Sequence, residues 1–353
     1  MSDEVCEASV HLFQPRPPTR YLAAFSYEMP PTPGKNFAFL GPFQATYRQQ
    51  EVATGEKVRK YLDAGQNPPD GAIIHYYLKE QPQGEVALTF LTASGQVIRT
   101  FSSEEKKQQQ GPDREKDKEK EKKKKEPRVP KAAGANRFVW DLRYPSPRGI
   151  EGDRESEEIM KGPLVPPGTY QVQLKLGDQT YIQSFKVHKD PRVRTSGEDL
   201  QEQFDLLQAI RAQVSEVHGA VSAVRSIRRQ VDEWELRTRG QDIHESLVGL
   251  GKSLKDRLAV IEEGLIQPKV KDQMDTLAEP MRLSAKLAAL AGTVASADAP
   301  PTRQARRLFD DLSASVAVLT RQLGQIIDAD VATFNTRVHE ANLSAIIPPV
   351  TGS

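Results

Sequence analysis

The side chains that could support acid–base chemistry are a few isolated carboxylates. Asp141 stands in the segment VWDLR, two residues before Arg143, and acid pairs occur at Glu157-Glu158 and Glu262-Glu263. Glycoside hydrolysis needs two carboxyl groups facing each other about 5 to 10 Å apart, and the spacing of these acids gives no support for that. An exposed cross-strand pair with Arg143 accounts for Asp141. We therefore predict no catalytic residue in this chain.

The sequence lacks the residue patterns that are usual for metal sites, reactive thiols and nucleotide-binding loops. Cys6 is the single cysteine, and it carries no local signature of a nucleophile, so a buried or incidental thiol is the interpretation. The six histidines are scattered, without an HExxH motif or a close pair. Gly249-Leu250-Gly251 lies in a helical pattern with no strand before it, unlike a phosphate loop. We expect no metal and no cofactor.

Aromatic residues are the candidates for binding. Tyrosines on or beside predicted strands could stack against a sugar or a peptide, although cross-strand packing within a sheet is the alternative. These tyrosines are Tyr76, Tyr77, Tyr144, Tyr170 and Tyr181. The candidate binding face consists of Trp140, Tyr144, Tyr170 and Tyr181.

The charge balance narrows the range of partners. The 353 residues contain 49 Lys and Arg against 48 Asp and Glu, which argues against a nucleic-acid-binding protein. A basic patch at Arg225, Arg228 and Arg229 is offset by Asp232 and Glu233 and is interpreted as a solvated helix face. No apolar stretch is long enough to span a membrane. The amino terminus has acidic residues and no apolar core of a signal peptide, so a cytoplasmic chain is expected as it stands.

Residues 71–192 alternate between apolar and polar positions, which predicts about six antiparallel strands. The strand segments include GAIIHYYLKE, EVALTF, NRFVWDLRY and TYQVQLKL, with a turn glycine expected at Ala93–Gly95. Such a pattern indicates an immunoglobulin-like β-sandwich. Residues 104–131 form a lysine- and glutamate-rich run that cannot bury enough apolar area to fold, so a disordered insertion is predicted there.

The remaining segments differ in composition. Residues 1–70 are rich in proline and aromatic residues, and we predict an irregular stretch with one short helix near residues 55–64. Residues 195–342 carry four apolar stripes at steps of three and four, broken near Gly240, Pro268 and Pro300, which predicts an elongated antiparallel α-helical bundle. Residues 343–353 are predicted to be a disordered tail. The fold class is therefore α+β with several domains.

Several of these segments, read in order, are similar to one family. They include VHLFQPRPPTRYL, DGAIIHYYLKE, NRFVWDLRYPSP, GPLVPPGTYQVQLKL and LAALAGTVASADAPPTRQARRLFDDLSA, within residues 9–340. The chain resembles the C-terminal part of large bacterial proteins that begin with sortilin-like, Asp-box β-propellers and are often labelled glycosyl hydrolases. The resemblance implies an immunoglobulin-like module of the flagellar-hook-capping type. The Asp-box pattern S-x-D-x-G-x-x-W is absent here, so no propeller site carries over.

These observations lead to one functional expectation and two alternatives. The expected function is a non-catalytic accessory module that mediates protein association, with a β-propeller in cis or in trans as the partner that the resemblance implies. Association of copies through the helical bundle is part of this expectation. The alternatives are part of a hydrolase or peptidase whose active site lies in a propeller, and a carbohydrate-binding sandwich. A parent containing a propeller would be exported.

Overall fold

The computed structural model describes residues 2–22, 37–40, 43–51, 57–62, 65, 70–104, 126–150, 153, 160–270 and 273–341. The protein is a mixed α+β protein with two compact units. The β unit comprises Met1–Pro145 and Leu164–Gly197, and the helical unit comprises Ser146–Pro163 and Glu198–Ser353. The segment Ser146–Pro163, expected within the strand-rich domain, thus belongs to the helical unit.

The described strands of the β unit form three sheets. The orders are β1-β6-β9, β2-β11-β10-β7-β8 and β3-β4-β5, and the pairs are antiparallel except β2 with β11, which is parallel. The strands are β1 (Val10–Leu12), β2 (Thr19–Arg20), β3 (Phe37–Leu40), β4 (Phe43–Glu51), β5 (Lys57–Tyr61), β6 (Ala72–Leu78), β7 (Val86–Thr92), β8 (Val97–Ser102), β9 (Gly134–Trp140), β10 (Gly168–Leu176) and β11 (Gln179–Lys189).

The first 70 residues are more regular than expected. They contain a short helix, α1 (Asp3–Glu7), and the strands β1 to β5. The short helix predicted near residues 55–64 is wrong where the chain is described, because Lys57–Tyr61 pairs as a strand with β4. The β-branched Val58 and the aromatic Tyr61 are residue types that favour strands.

One apolar core joins two of the sheets. Alternate residues of β6 and β9 point inward with alternate residues of β7 and β10, as the period of two requires. The ring of Trp140 on β9 stacks on Phe90 of β7 with 4.4 Å between ring centroids. Because the two rings come from different sheets, this contact shows that the sheets pack face to face.

Two glycines lie in the turns that connect neighbouring strands. Gly95 has a φ of 84° between β7 and β8, which confirms the glycine expected in that turn. Gly177 has a φ of 56° in the tight connection from β10 to β11. Residues with a Cβ rarely adopt this left-handed conformation, so glycine favours both hairpins.

The helical unit contains five α-helices within the described residues. The predicted breaks at Gly240, Pro268 and Pro300 all fall between helices, and Gly240 has a φ of 80°. The helices are α2 (Gly197–Arg237), α3 (His244–Leu265), α4 (Leu283–Val294), α5 (Arg303–Ile326) and α6 (Ala332–Glu340), with a 3₁₀ turn at Gln273–Leu277 and a π turn at Ile327–Val331.

The apolar stripes of these helices share one core. Val217 and Val224 on α2 are fully buried in it, together with Leu258 of α3 and Leu287 of α4. Charged substitutions at Val217 or Val224 would therefore disrupt the unit itself and are unsuitable for testing association between copies. Gln203 of α2 donates hydrogen bonds to the Val294 carbonyl, at 2.7 Å, and to a second carbonyl just beyond α4, which satisfies orphan acceptors at that helix end.

Two expectations fall largely outside the described residues. Residues 105–125 of the predicted charged insertion 104–131, and the whole predicted tail 343–353, are not described. Where the chain is described again, Glu126 pairs with Arg99 of β8, and Val129 donates a backbone hydrogen bond to Ser102. Within the described ranges, no helix combines the length and apolar character needed to cross a bilayer.

Candidate functional site

A groove of about 1240 Å³ opens on the β unit. We call it the sheet groove and define it by three parts: the outer side of β6 at Ile73 and His75, the start of β9 at Ala135 and Arg137, and the coil 13–18 between β1 and β2 with the adjoining Thr19 of β2. Tyr21, Gly71, Tyr76, Asn136 and Arg192 complete the lining.

Strand register sets the floor of the sheet groove. His75 lies directly opposite Arg137 in the antiparallel pair of β6 and β9. The neighbouring residues Ile74 and Phe138 are buried in the core, so His75 and Arg137 stand on the outer side, where both are exposed. A shift of one residue would turn these two side chains into the core, so the register determines what the groove presents.

Three prolines form one wall of the sheet groove. After β1, the Phe13 N–H still donates to the His75 carbonyl, at 3.1 Å. Pro15, Pro17 and Pro18 then follow within four residues, and each lacks the N–H that a strand ladder needs. The chain therefore leaves the β1–β6 pair and joins the other sheet, where the Pro18 carbonyl accepts from the His188 N–H at 2.9 Å.

The sheet groove carries an excess of positive charge. Its lining among the described residues includes Arg16, His75, Arg137 and Arg192 but no Asp or Glu. Burial lowers the pKa of His75, and the nearby charges of Arg137 and then Arg16 lower it further. These effects show that the two guanidinium groups act on the same imidazole. Neither Arg16 nor Arg137 has a carboxylate partner among the described residues.

Arg192 differs from these two arginines because it is already neutralised. Its guanidinium donates to Asp190 at 2.6 Å. Hydrogen bonds from the Arg192 side chain and backbone N–H lower the pKa of Asp190 to about 2. Within the described lining, the positive charge without an ion-pair partner therefore comes from Arg16 and Arg137.

The aromatic residues expected to form a binding face do not share one surface. Trp140 and Tyr170 are buried at 0% and 5% exposure, so they cannot present their rings to a ligand. Tyr144 and Tyr181 are half-buried and pack against the same core. The physical reason is that an inward position on a strand favours the largest apolar surface, and both Trp140 and Tyr170 occupy inward positions.

The polar groups of the buried aromatics are satisfied internally. The Tyr170 hydroxyl donates to the Pro166 carbonyl at 2.7 Å, and burial raises the pKa of this hydroxyl. The Trp140 Nε1–H donates to the Arg143 carbonyl at 3.2 Å. Both rings are thus fixed as structural anchors of the core.

Asp141 has a turn role instead of the expected cross-strand pairing. Its carboxylate accepts a hydrogen bond from the Arg143 backbone N–H at 3.2 Å. Leu142 between them has a φ of 56°, an uncommon conformation for a residue with a Cβ. An aspartate that binds the backbone two residues on stabilises such a turn, so Asp141 ends β9 rather than supporting catalysis.

A buried cluster in the helical unit has the residue types of a hydrolase triad. His218 of α2 lies 2.7 Å from the Asp153 carboxylate and 3.0 Å from the Ser284 hydroxyl, and Ser284 also donates to Asp153 at 2.8 Å. A catalytic triad places the acid and the nucleophile on opposite ring nitrogens. Here both contact Nε2, while Nδ1 faces the Arg148 carbonyl.

This cluster is closed to substrates. The side chains of His218 and Asp153 are each 2% exposed, and Ser284 is 1% exposed. The contacts instead tie the segment Ser146–Pro163 to α2 and α4 within the helical unit. We assign the cluster a structural role.

The acid pairs and the basic patch also differ from expectation. Glu157 and Glu158 lie outside the described residues. Glu262 is buried and accepts hydrogen bonds from Arg225 at 2.7 Å and from Arg228 at 2.9 Å. Two arginines that were predicted to form a solvated face are therefore partners of a buried carboxylate between α2 and α3.

The described part of the chain contains neither a cysteine pair nor a cluster of metal-binding side chains. Cys6 is exposed and unpaired with another cysteine. The part of the chain that the structure describes contains no group of three or more His, Cys, Asp or Glu side chains placed to share a metal ion.

The sequence analysis did not single out the residues of the sheet groove. The alternation of β6 and β9 put His75 and Arg137 on outward positions, which was a usable signal. The pairing of His75 with Arg137 could not be predicted from the sequence, because the two strands are about 60 residues apart and their register depends on the intervening fold. Comparison with protein-family models, with curated proteins and with solved structures gave no match to this chain.

Proposed function

We propose that this chain is a non-catalytic interaction module, whose β unit is an immunoglobulin-like sandwich that binds a segment of a partner protein. The strand orders β1-β6-β9 and β2-β11-β10-β7-β8 support the sandwich. So does the hydrogen bond from Tyr170 to the carbonyl of Pro166, four residues upstream. A tyrosine at the start of a strand that binds back to the preceding corner is a hallmark of immunoglobulin-like domains.

The helical unit serves as a spacer or an association arm in this proposal. An elongated antiparallel bundle is the arrangement we propose for it, because its helices bury their apolar stripes in one core. The 41 residues of α2 correspond to about 60 Å at the usual rise per residue. Through the family resemblance, the partner is a sortilin-like propeller in cis or in trans.

The sheet groove is the observation that carries the proposal. At about 1240 Å³ it exceeds the roughly 300 to 1000 Å³ of small-molecule pockets. Its wall of prolines and its outward strand face suit an extended peptide segment, because rigid walls lose little entropy on binding.

The carbohydrate-binding alternative has less support. It relied on a stacking surface, and two of the four aromatic residues assigned to it are buried in the core. The hydrolase alternative places its active site in a propeller, and it therefore assigns no catalytic residue to this chain.

The proposal is tested by selecting peptides from a random display library on the immobilised full chain. We expect enrichment that disappears in Ala135→Trp, which fills the groove with an indole at an exposed lining position. The matched control Thr180→Trp adds the same ring at an exposed position of β11 and should keep the enrichment. Equal melting temperatures would show that both variants fold.

Two outcomes would contradict the proposal. One is a library selection with no enrichment, or with enrichment that Ala135→Trp leaves unchanged. The other is specific retention on a glycan array that Ala135→Trp also leaves unchanged, which would favour the carbohydrate-binding alternative.

A further inference from the structure

The sheet groove pairs two positively charged residue types across neighbouring strands. His75 and Arg137 are direct partners in the register of β6 and β9. Basic residues directly opposite each other in an antiparallel pair are destabilising, whereas opposite charges stabilise. Arg16 of the adjacent coil adds to the same positive potential at His75. Folding thus places two guanidinium groups beside one imidazole, and protonation of that imidazole carries a cost in stability.

Nothing in the described lining compensates this charge. The described lining contains no Asp or Glu. Of the acids beside it, Asp190 is engaged by Arg192, and Asp70 accepts a hydrogen bond from the Tyr21 hydroxyl. The whole chain is close to neutral, with 49 basic and 48 acidic residues. The local excess is therefore a result of placement and not of composition. A site that holds two arginines without an ion-pair partner among the described residues, beside an apolar wall, is complementary to an anionic ligand with apolar parts.

We infer that the sheet groove binds a protein segment that is extended and carries Asp or Glu side chains, with Arg16 and Arg137 as the groups that receive its carboxylates. This inference rests on the proposed function and specifies the chemistry of the partner. Guanidinium groups bind carboxylates through paired hydrogen bonds, which adds geometric specificity to the charge attraction. Ile73 and the prolines of the coil offer apolar contacts to the side chains between the acids.

The experiment uses the full chain and three fluorescent ten-residue peptides, which alternate Glu-Val, Gln-Val or Lys-Val. Fluorescence anisotropy should show the Glu-Val peptide binding at least about tenfold more tightly than the Gln-Val peptide, and binding should weaken as salt rises. Arg137→Glu and Arg16→Glu should each reduce Glu-Val binding by about tenfold or more. The control Lys186→Glu makes the same charge change at an exposed position of β11 and should have little effect.

The charge-reversal variant Arg137→Glu also serves as its own folding control. At a pH low enough to protonate His75, Arg137→Glu replaces a like-charge pair with an opposite-charge pair, so its melting temperature there should equal or exceed that of the wild type. Loss of binding in a variant that is at least as stable cannot be due to unfolding.

Three outcomes would overturn the inference. They are equal binding of the Glu-Val and Gln-Val peptides, Glu-Val binding that is insensitive to both charge reversals, and tighter binding of a ten-nucleotide thymidine strand than of the Glu-Val peptide. Neutral-peptide binding that Ala135→Trp abolishes would overturn the acidic preference and leave the proposed interaction module intact. A failed library selection would overturn the module itself.

Discussion

Nε2 of His218 lies 2.7 Å from the Asp153 carboxyl group while Nδ1 faces the Arg148 carbonyl, so both ring nitrogens have hydrogen-bond partners. The His218–Asp153 contact joins residues 65 positions apart. Its geometry explains why a set of Asp, His and Ser side chains serves structure here and not hydrolysis.

Removing one partner of this pair should destabilise the helical unit. We expect His218→Ala to lower the free energy of unfolding by about 2 kcal/mol or more, because the Asp153 side chain would stay buried without this hydrogen-bond partner. Urea denaturation followed by circular dichroism at 222 nm measures this change. The exposed His339 on α6 provides the control His339→Ala. Equal free energies of unfolding for His218→Ala and His339→Ala would contradict the structural role of the cluster.

The two adjacent acids of α3 should respond differently to truncation. Glu262 is buried and binds Arg225 and Arg228, whereas Glu263 is exposed. We expect Glu262→Ala to cost about 2 kcal/mol, since both arginines stay partly hydrated when their partner is removed. Glu263→Ala should change the free energy of unfolding by less than about 0.5 kcal/mol. Equal effects in denaturant titrations would show that the arginine contacts do not stabilise the helix pair.

Two glycines of α3 should also differ. A Cβ at Gly251 would lie 2.8 Å from the Val231 side chain of α2, whereas a Cβ at Gly249 meets nothing within 4 Å. Alanine is the better helix former by about 1 kcal/mol, so Gly249→Ala should raise the melting temperature. Gly251→Ala should lower it, because the new methyl group forces α2 and α3 apart. A rise in melting temperature for both variants would argue against close approach of these helices.

The lowered pKa of His75 predicts a pH-dependent stability of the β unit. A histidine whose pKa is lower in the folded state binds fewer protons when folded, so stability is retained above the ordinary value of 6.5 and falls as pH drops below it. We expect His75→Gln to reduce this loss between pH 7.5 and 5. Denaturant titrations across that range measure it, with His188→Gln at an exposed position as the control. An unchanged pH profile in His75→Gln would contradict the electrostatic role of Arg137 and Arg16.

Local patterns in the sequence determined most of the secondary structure. The apolar steps of three and four predicted α2 to α5, and the alternation of two predicted β6 to β10, because each period reports one buried face. Glycine and proline predicted the breaks at Gly95, Gly240 and Pro300 for the same local reason, since their backbone restrictions act within a few residues. The segment Lys57–Tyr61 escaped this reasoning, because five residues carry too little of either period.

Tertiary structure alone decided which side chains meet. Whether Trp140 faces a ligand or the core depended on a second sheet that supplies Phe90. The pairing of His75 with Arg137 depended on a register between distant strands, and Asp153 and His218 met only because Ser146–Pro163 packs with the helices. Periodicity records that a residue is buried or exposed, whereas partners are chosen by long-range packing that no short window of sequence contains.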